Sequence, residues 1–395
     1  MKRLRKILPL LLYVCSMLTW SGCDKNDGIA PDKKAHDKEN PNSGAVVKKD
    51  NDIQVYVHFM PWFETDVSNN GKWGYHWTMK NCNPNIVDAK GRRQIAAHYY
   101  PQTGPYASGD ENMLYYQLLL MKYSGIDGVM VDWYGVQSDN TVAKVVAAVG
   151  LKMAIVYEDS PLASAADKVG QARQDMRYLS QTFFNKSYYV RVDNKPLLLV
   201  FGPQQLLKAK DWYRTFSVLS TKPMFLCLNG HSERVNSVEY TNAEGEFTWV
   251  NPTPDYSVVK RFKMYVAGAM PGFHDFYKEG GAGEGYATYD AENGELFKRQ
   301  LNAAKQANMK WLQISTWNDY GEGTTIEPTL EYGYKYLVEL QKFTGVSYNQ
   351  DQLELVHRWY QLKVKHPNDA RVKEALQALL SLQPDKASKI MNDSF

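Results

Sequence analysis

The chain has 395 residues, a formal net charge of +3 and 13% aromatic residues, among them 10 Trp and 27 Tyr. That length allows one large core or two smaller ones. Lys2, Arg3, Arg5 and Lys6 lie in a leader, and removing those four positive charges turns +3 into about −1, which excludes a basic field for holding nucleic acid.

The leader comes first along the chain. A charged start precedes an apolar run over 7–18, followed by Thr19-Trp20-Ser21-Gly22-Cys23. This is the pattern of a secretory signal over 1–22, too short for a spanning helix with stop-transfer flanks. Ser21 and Gly22 before Cys23 resemble a bacterial lipobox. The resemblance implies an exported lipoprotein of the outer membrane, at the cell surface or on the periplasmic face, with Cys23 lipidated. Membrane contact is expected only through that N-terminal anchor. Residues 23–52 are rich in Lys, Asp, Asn and Gly and nearly devoid of large apolar side chains, so they read as a disordered tether. Asp24 and Asp27 just after Cys23 resemble a surface-export signal. Of the other mature cysteines, Cys82 falls in a loop and Cys227 in a strand, and free thiols are expected.

From residue 53 onward, short apolar runs alternate with helical stretches. Strands are expected at 53–59, 128–133, 152–157, 196–201, 223–228, 246–250, 264–269 and 311–316, with helices at 111–123, 141–149, 165–184, 204–219 and 296–309. Apolar strands without strict alternation are buried on both faces, as parallel sheets require. Eight such units predict an α/β fold, a (β/α)8 TIM barrel over 53–348, rather than an open doubly wound sheet. The fifth helix is poorly marked, between His231 and Gly245. Beyond it, 352–365 and 370–382 read as two amphipathic helices split at Pro367. They form a small C-terminal helical appendage over 349–395, packed on the barrel.

Barrel enzymes carry their chemistry on the loops that follow the strands. The first strand ends in His58-Phe59-Met60-Pro61-Trp62-Phe63, the second in Asp132-Trp133-Tyr134-Gly135, the third in Tyr157-Glu158-Asp159. The sixth ends in Trp249-Val250-Asn251-Pro252 and the seventh in Met270-Pro271-Gly272-Phe273-His274-Asp275. Acids and aromatics thus converge on one rim. Of Glu158 and Asp159 only one can face the centre, because neighbours in an extended chain point opposite ways. His58 reads as a satisfied core histidine, and Asp132 fits a helix cap as well as a site residue. Trp133 and Trp249 suit either packing or sugar stacking. A long insertion over 71–106 carries Trp73, Tyr75, His76, Trp77, His98, Tyr99 and Tyr100, and reads as one wall of a substrate groove. The glycine-rich run 280–285 lacks dinucleotide spacing and reads as a flexible lid.

The eighth strand leads into Trp317-Asn318-Asp319-Tyr320-Gly321-Glu322-Gly323-Thr324-Thr325-Ile326-Glu327-Pro328, which holds three carboxylates within nine residues. Carboxylates so close repel one another, so one of them holds its proton near neutral pH. An acid that keeps its proton beside an ionised carboxylate is the equipment for cleaving a glycosidic bond. A loop whose acids cap the next helix accounts for Glu327 but not for Asp319 and Glu322 among Trp317 and Tyr320. Sequence patterns for metal ligation, a serine nucleophile or a phosphate-binding loop are missing, so no metal and no cofactor is expected.

These residues resemble glycoside hydrolase family 99, the endo-α-mannosidases and bacterial endo-α-mannanases, within the wider family 71/99-like group. The resemblance rests on Trp62, Trp77, Tyr100-Pro101 with Gly104 and Tyr106, Trp133-Tyr134, Glu158, Pro271-Gly272, and Asn318 through Thr324 with Ile326-Glu327. It implies a retaining, metal-independent enzyme that cuts inside α-mannose chains. By position, Asp319 would help the sugar's own 2-hydroxyl attack the anomeric carbon, giving an anhydro-sugar. Glu322 would protonate the leaving oxygen and then activate water. Glu158 matches a family glutamate near the reacting sugar. Substrate contacts are expected from Glu158, Trp62, Trp77, Tyr100, Asp132, Trp133, Tyr134, Trp249, Asn318, Tyr320 and Glu327. One departure stands out: the family pattern has Glu where this chain has Asp319, which withdraws the carboxylate by about 1.5 Å. Two other readings remain open: a surface glycan-binding lipoprotein on a degenerate hydrolase barrel, and an α-1,3-glucan hydrolase of the family 71 type.

Overall fold

The computed structural model describes residues 44–135 and 139–395. The signal segment, Cys23 and most of the tether lie outside the described residues. Nine strands form: β1 Gln54–Phe59, β2 Gly128–Trp133, β3 Lys152–Tyr157, β4 Arg191–Val192, β5 Lys195–Val200, β6 Met224–Leu228, β7 Gly245–Phe247, β8 Met264–Ala269 and β9 Trp311–Ile314. Eight of them run parallel in the order β3-β2-β1-β9-β8-β7-β6-β5, and β3 pairs with β5 to close the ring. The short β4 is extra, pairing antiparallel with β5. The expected eight-stranded barrel is therefore present.

Alternation along each strand divides two apolar layers. Tyr56, Met130, Ala154, Val156, Leu197, Leu199, Leu226 and Phe247 fill the barrel interior. Val55, Val57, Phe59, Val129, Val131 and Ile155 face outward, toward the helices. Continuing the inner register places His58 after Tyr56, Asp132 after Met130, and Glu158 after Val156, all at the C-terminal mouth. The site is thus positioned by the period of two.

The helices are α1 Tyr75–Thr78, α2 Glu111–Tyr123, α3 Asp139–Val149, α4 Lys168–Leu179, α5 Ala209–Phe216, α6 Ser232–Val235, α7 Glu295–Gln306, α8 Lys335–Thr344, α9 Gln350–Lys365, α10 Ala370–Leu380 and α11 Pro384–Ser394. Asp110 starts α2 by accepting from the backbone N–H of Asn112 and Met113, and Asn349 opens α9 with a capping box completed by Gln352. The poorly marked fifth helix is only the four residues of α6. The appendage holds one helix more than expected, because Pro384 at the first turn initiates α11.

Lys122 ties this appendage to the barrel. It is buried, and its ammonium donates to the carbonyls of Val149 (2.6 Å) and Leu380 (3.1 Å), the C-terminal ends of α3 and α10. A cation suits two helix C-termini, although burial pushes its pKa down to about 8. Residues 44–51, read as the end of a disordered tether, also lie against this end. Ala45 N–H donates to Leu380 O, Asp50 and Asn51 N–H to Thr344 O, and Lys49 pairs with Asp127. No described helix is long and apolar enough to cross a membrane. Cys82 and Cys227 are both free.

Candidate active site

The segment after β9 is knitted into a compact loop by its own short polar side chains. Thr316 N–H donates to Thr324 O (2.7 Å), and Ile326 and Glu327 N–H donate to Trp317 O (3.1 and 2.9 Å). Inside that frame, Asp319 N–H donates to Thr316 Oγ1 at 2.7 Å. Glu322 N–H donates to Asp319 Oδ1 at 2.9 Å, so the two acids belong to one turn. Gly323 completes it with φ +65°, where a Cβ would lie 2.5 Å from His274 O. Gly323→Ala is therefore expected to destabilise the fold by about 1–3 kcal/mol and to displace Glu322. Chemical unfolding beside an activity assay checks both effects.

Asn318 locks this loop to the first strand. Its Oδ1 accepts from Met60 N–H (2.8 Å), and its Nδ2 donates to Met60 O (3.0 Å) and Tyr106 Oη (3.2 Å). Trp317 N–H donates to His58 O at 2.8 Å. These bonds hold Asp319 and Glu322 beside the inner ends of β1 and β2.

The result is a cluster of carboxyls that act on one another. Burial raises the pKa of Asp319 to about 7, and the charge of Asp132 adds to this against N–H donors from Glu322 and Gly321. Glu322 is pushed well above the usual carboxylate range by burial and then by Asp319 and Asp275, while the Tyr277 hydroxyl opposes the shift. Tyr277 Oη donates to Glu322 Oε1 at 3.2 Å, and Glu322 Oε2 has no protein partner. Glu158 is raised by burial and by Asp132 and Asp159. At this mouth burial first, and then the neighbouring carboxylates, raise all three acids together.

Asp159 points outward, as the alternation requires. It caps the segment after β5 by accepting from the N–H groups of Gln204, Gln205 and Leu206 at 2.7–2.9 Å. Asp275 does similar work in the loop after β8, accepting from Tyr277 N–H (3.0 Å) and Tyr286 N–H (2.7 Å). The glycine-rich run is docked on the first insertion. Lys80 N–H donates to Gly280 O (2.9 Å), Asn81 Nδ2 donates to Glu279 O (2.7 Å), and a Cβ on Gly280 would meet Met79 Sδ at 2.2 Å. Gly280 answers to close packing and Gly281 and Gly285 to their positive φ, and the docked loop brings Tyr277 to Glu322.

Several residues expected to touch substrate are wholly committed to the protein. Trp77 is fully buried among Phe63, Tyr106 and Tyr320, its Nε1 donating to Tyr106 O at 2.8 Å. Trp133 stacks on Tyr157 and Tyr178 and donates to Asp139 at 3.0 Å. Tyr320 points into that aromatic core, and Asn318 is consumed by the bonds to Met60. Glu327 does not precede a helix: it is buried and accepts from Tyr106 Oη (2.7 Å), Tyr320 Oη (2.8 Å) and Gln117 Nε2 (2.7 Å). Burial raises it to about 7 despite these donors. Trp77, Tyr320, Asn318 and Glu327 offer no surface to a sugar and instead build the wall behind the acids, whereas Trp133 also lines the pocket beside Glu158. Tyr100, half-buried, is used by the insertion itself, its Oη accepting from Arg93 N–H at 3.0 Å.

Three aromatics keep exposed surface near the mouth. Trp62 stacks on His76 at 4.1 Å and lies 6.3 Å from Tyr134. Trp249 stands edge-on to His58 (4.6 Å) and Phe201 (4.9 Å). A pocket of about 260 Å³ beside Glu158 is lined by Tyr134, Pro161, Leu162 and Ser164, among others. A larger cavity, about 510 Å³, lies at the opposite end of the barrel, where Lys195 and Lys263 are both paired with Glu244. That end holds no comparable acid pair. Among the described residues, no three His, Cys, Asp or Glu side chains are arranged to hold a metal ion.

Sequence reasoning missed Tyr277 and Asp275 as parts of this site. Asp275 closed the stretch read after the seventh strand, but nothing in its spacing indicated that it would organise the glycine-rich loop.

A family model described as glycosyl hydrolase family 99 matches residues 51–360. A human glycoprotein endo-alpha-1,2-mannosidase-like protein is 20% identical over 271 residues, covering 60% of this chain and 58% of that one. Its Danio rerio counterpart is 19% identical over 317 residues, 69% and 70% of the two chains. The chain therefore spans under two thirds of the human relative. Among solved structures, the family 99 endo-alpha-mannosidase of Bacteroides thetaiotaomicron superposes with a TM-score of 0.60 at 19% identity, over 78% of this chain and 98% of that one. A glycoside hydrolase-like protein follows at 0.53 and 16% identity. Both likenesses concern the fold.

Proposed function

Because the chain belongs to glycosyl hydrolase family 99, we propose that it is a retaining glycoside hydrolase that cleaves within α-linked mannan or mannose-containing glycans. The observation that carries this reading is the turn joining Asp319 and Glu322, two buried carboxyls at the open end of the barrel whose pKa values are both raised by burial.

Asp319, with a pKa near 7, suits a base that draws the proton from the sugar's 2-hydroxyl as that oxygen closes on the anomeric carbon. Glu322, pushed well above the usual carboxylate range by burial and then by Asp319, holds a proton and gives it to the departing glycosidic oxygen. With the bond broken, the carboxylate of Glu322 takes a proton from water as that water opens the anhydro-sugar at the anomeric carbon, and Asp319 returns its proton to the released 2-oxygen. The short arm of Asp319 calls for a sugar seated deep in the mouth, where Trp62 and Trp249 offer exposed ring surface. Glu158 would hold a hydroxyl of the reacting sugar.

The roles set the pH profile. Cleavage rises as Asp319 loses its proton, at about pH 7, and falls once Glu322 loses its own. Tyr277→Phe removes a bond that favours the Glu322 carboxylate, so the alkaline limb of kcat/KM moves to higher pH while the acid limb stays in place.

The deciding experiment incubates the protein with a panel of α-linked glycans and analyses the products. Mannose-containing oligosaccharides released from mannan are the expected result. Mannan bound without new reducing ends would make the protein a glycan-binding lipoprotein, and cleavage of α-1,3-glucan instead would move it to the family 71 type. Export and lipid anchoring through Cys23 belong to the same proposal. They are checked by metabolic labelling with a fatty acid in wild type and Cys23→Ala.

A further inference from the structure

Beneath the acids lies a polar group that the hydrolytic reading leaves unused. His58 is fully buried on the inner face of β1, and neither ring nitrogen has a hydrogen-bond partner in the protein. The expected satisfied core histidine is therefore not what the fold contains. Its Nε2 lies 3.5 Å from Asp132 Oδ1 at the end of β2. The ring is wedged edge-on against Trp249 at 4.6 Å and lies 6.4 Å from Phe201, so it cannot swing away from the carboxylate. Asp132 is itself buried. It is the carboxylate whose charge reaches both Glu158 just beyond β3 and Asp319 beyond β9.

The charged groups acting on Asp319, Glu322 and Glu158 are all carboxylates. A buried group of like charges persists only where protons or donors satisfy it. Orphaned imidazole nitrogens at the floor of such a group are out of place in a mere core residue.

We propose that His58 is a positioning residue whose Nε2–H holds the Asp132 carboxylate between Glu158 and Asp319, and thereby sets how protons are distributed over the acid cluster. With the Asp132 carboxylate fixed between them, its influence reaches Asp319 and Glu158 together. This deepens the hydrolase reading and rests on it for its catalytic meaning, but the proton distribution is measurable without substrate. The groups that bear on it are His58 and Asp132 facing each other, Glu158 with Asp159 behind it, Asp319 beside Glu322, and Tyr277 with Asp275 on Glu322.

The test follows the carboxyl carbons by NMR across pH in the substrate-free protein, with Asp319→Asn assigning its resonance. In His58→Phe, the Asp132 carboxylate loses the contact that holds it beside Asp319, so its push on Asp319 weakens. The Asp319 midpoint then falls by about one pH unit. Asp132→Asn produces the same fall, the double variant no further one, and His58→Gln, whose amide reaches the place of Nε2, keeps the wild-type curve. A His58→Phe curve superimposed on wild type, or shifts that add in the double variant, would overturn the proposal. Should His58→Phe fail to fold, nitrogen NMR of the wild-type imidazole decides. A protonated Nε2 whose resonance moves in Asp132→Asn supports it, and a bare or insensitive Nε2 refutes it. A protein that cleaves no glycan yet shows these shifts would lose the hydrolase reading while keeping this one.

Discussion

Glu322→Gln is expected to lower kcat/KM on a polysaccharide by about 10³-fold, the usual range for removing a general acid. An activated aryl glycoside should lose far less in the same variant, because its leaving group departs without a proton. Asp319→Asn should lose about as much on both substrates, since the 2-hydroxyl must be deprotonated whichever group leaves. This contrast separates the two acids, because a loss caused by misfolding would strike both substrates equally in both variants. Full activity of either variant on the polysaccharide would remove the assignment. Retained aryl cleavage by Asp319→Asn would exchange the two roles.

The largest effect on stability is expected at Glu327. Replacing it by Ala leaves the hydroxyls of Tyr106 and Tyr320 and the amide of Gln117 facing a cavity. A loss of about 3 kcal/mol or more follows, a fall in Tm of about 5 °C or more. The loss depends on pH with a definite sign. Burial raises Glu327 from 4.5 to about 7 in the folded state, so its stabilising contribution is complete below pH 4.5 and is lost as pH rises through about 7. The stability gap between wild type and Glu327→Ala is therefore widest in acid and narrows toward neutrality. Denaturant unfolding at several pH values measures this. A normal Tm with a raised KM would return Glu327 to the substrate-contacting role first expected of it.

How much of this was legible beforehand follows from the range of the interactions involved. The barrel was legible because each β/α unit announces itself locally, through a short apolar run and a periodic helical stretch. The opening helix cap at Asp110 is equally local. The acid turn was legible because Asp319, Glu322 and Gly323 make their critical bonds within a few residues of one another. Alternation showed that only one of Glu158 and Asp159 could face the centre, and the family resemblance pointed to Glu158.

The aromatics were a different matter. Trp77 and Tyr320 look like sugar platforms in the sequence, and each is packed away by partners that no local pattern reveals. Asn318 is bound to Met60 across 258 positions and Glu327 to Gln117 across 210. A side chain's exposure depends on what distant segments bring against it, and a single sequence encodes that only through the complete fold. The same holds for Tyr277, carried to Glu322 by a loop that docks on the first insertion, and for His58, whose partner Asp132 lies on the neighbouring strand. The sequence alone determined that a parallel barrel would present a pair of acids in one tight turn, because periodicity and short-range bonds need no distant partner. Only the tertiary structure decided which rings and carboxylates face the mouth and which are consumed in holding it, because burial is a property of contacts between segments far apart in the chain.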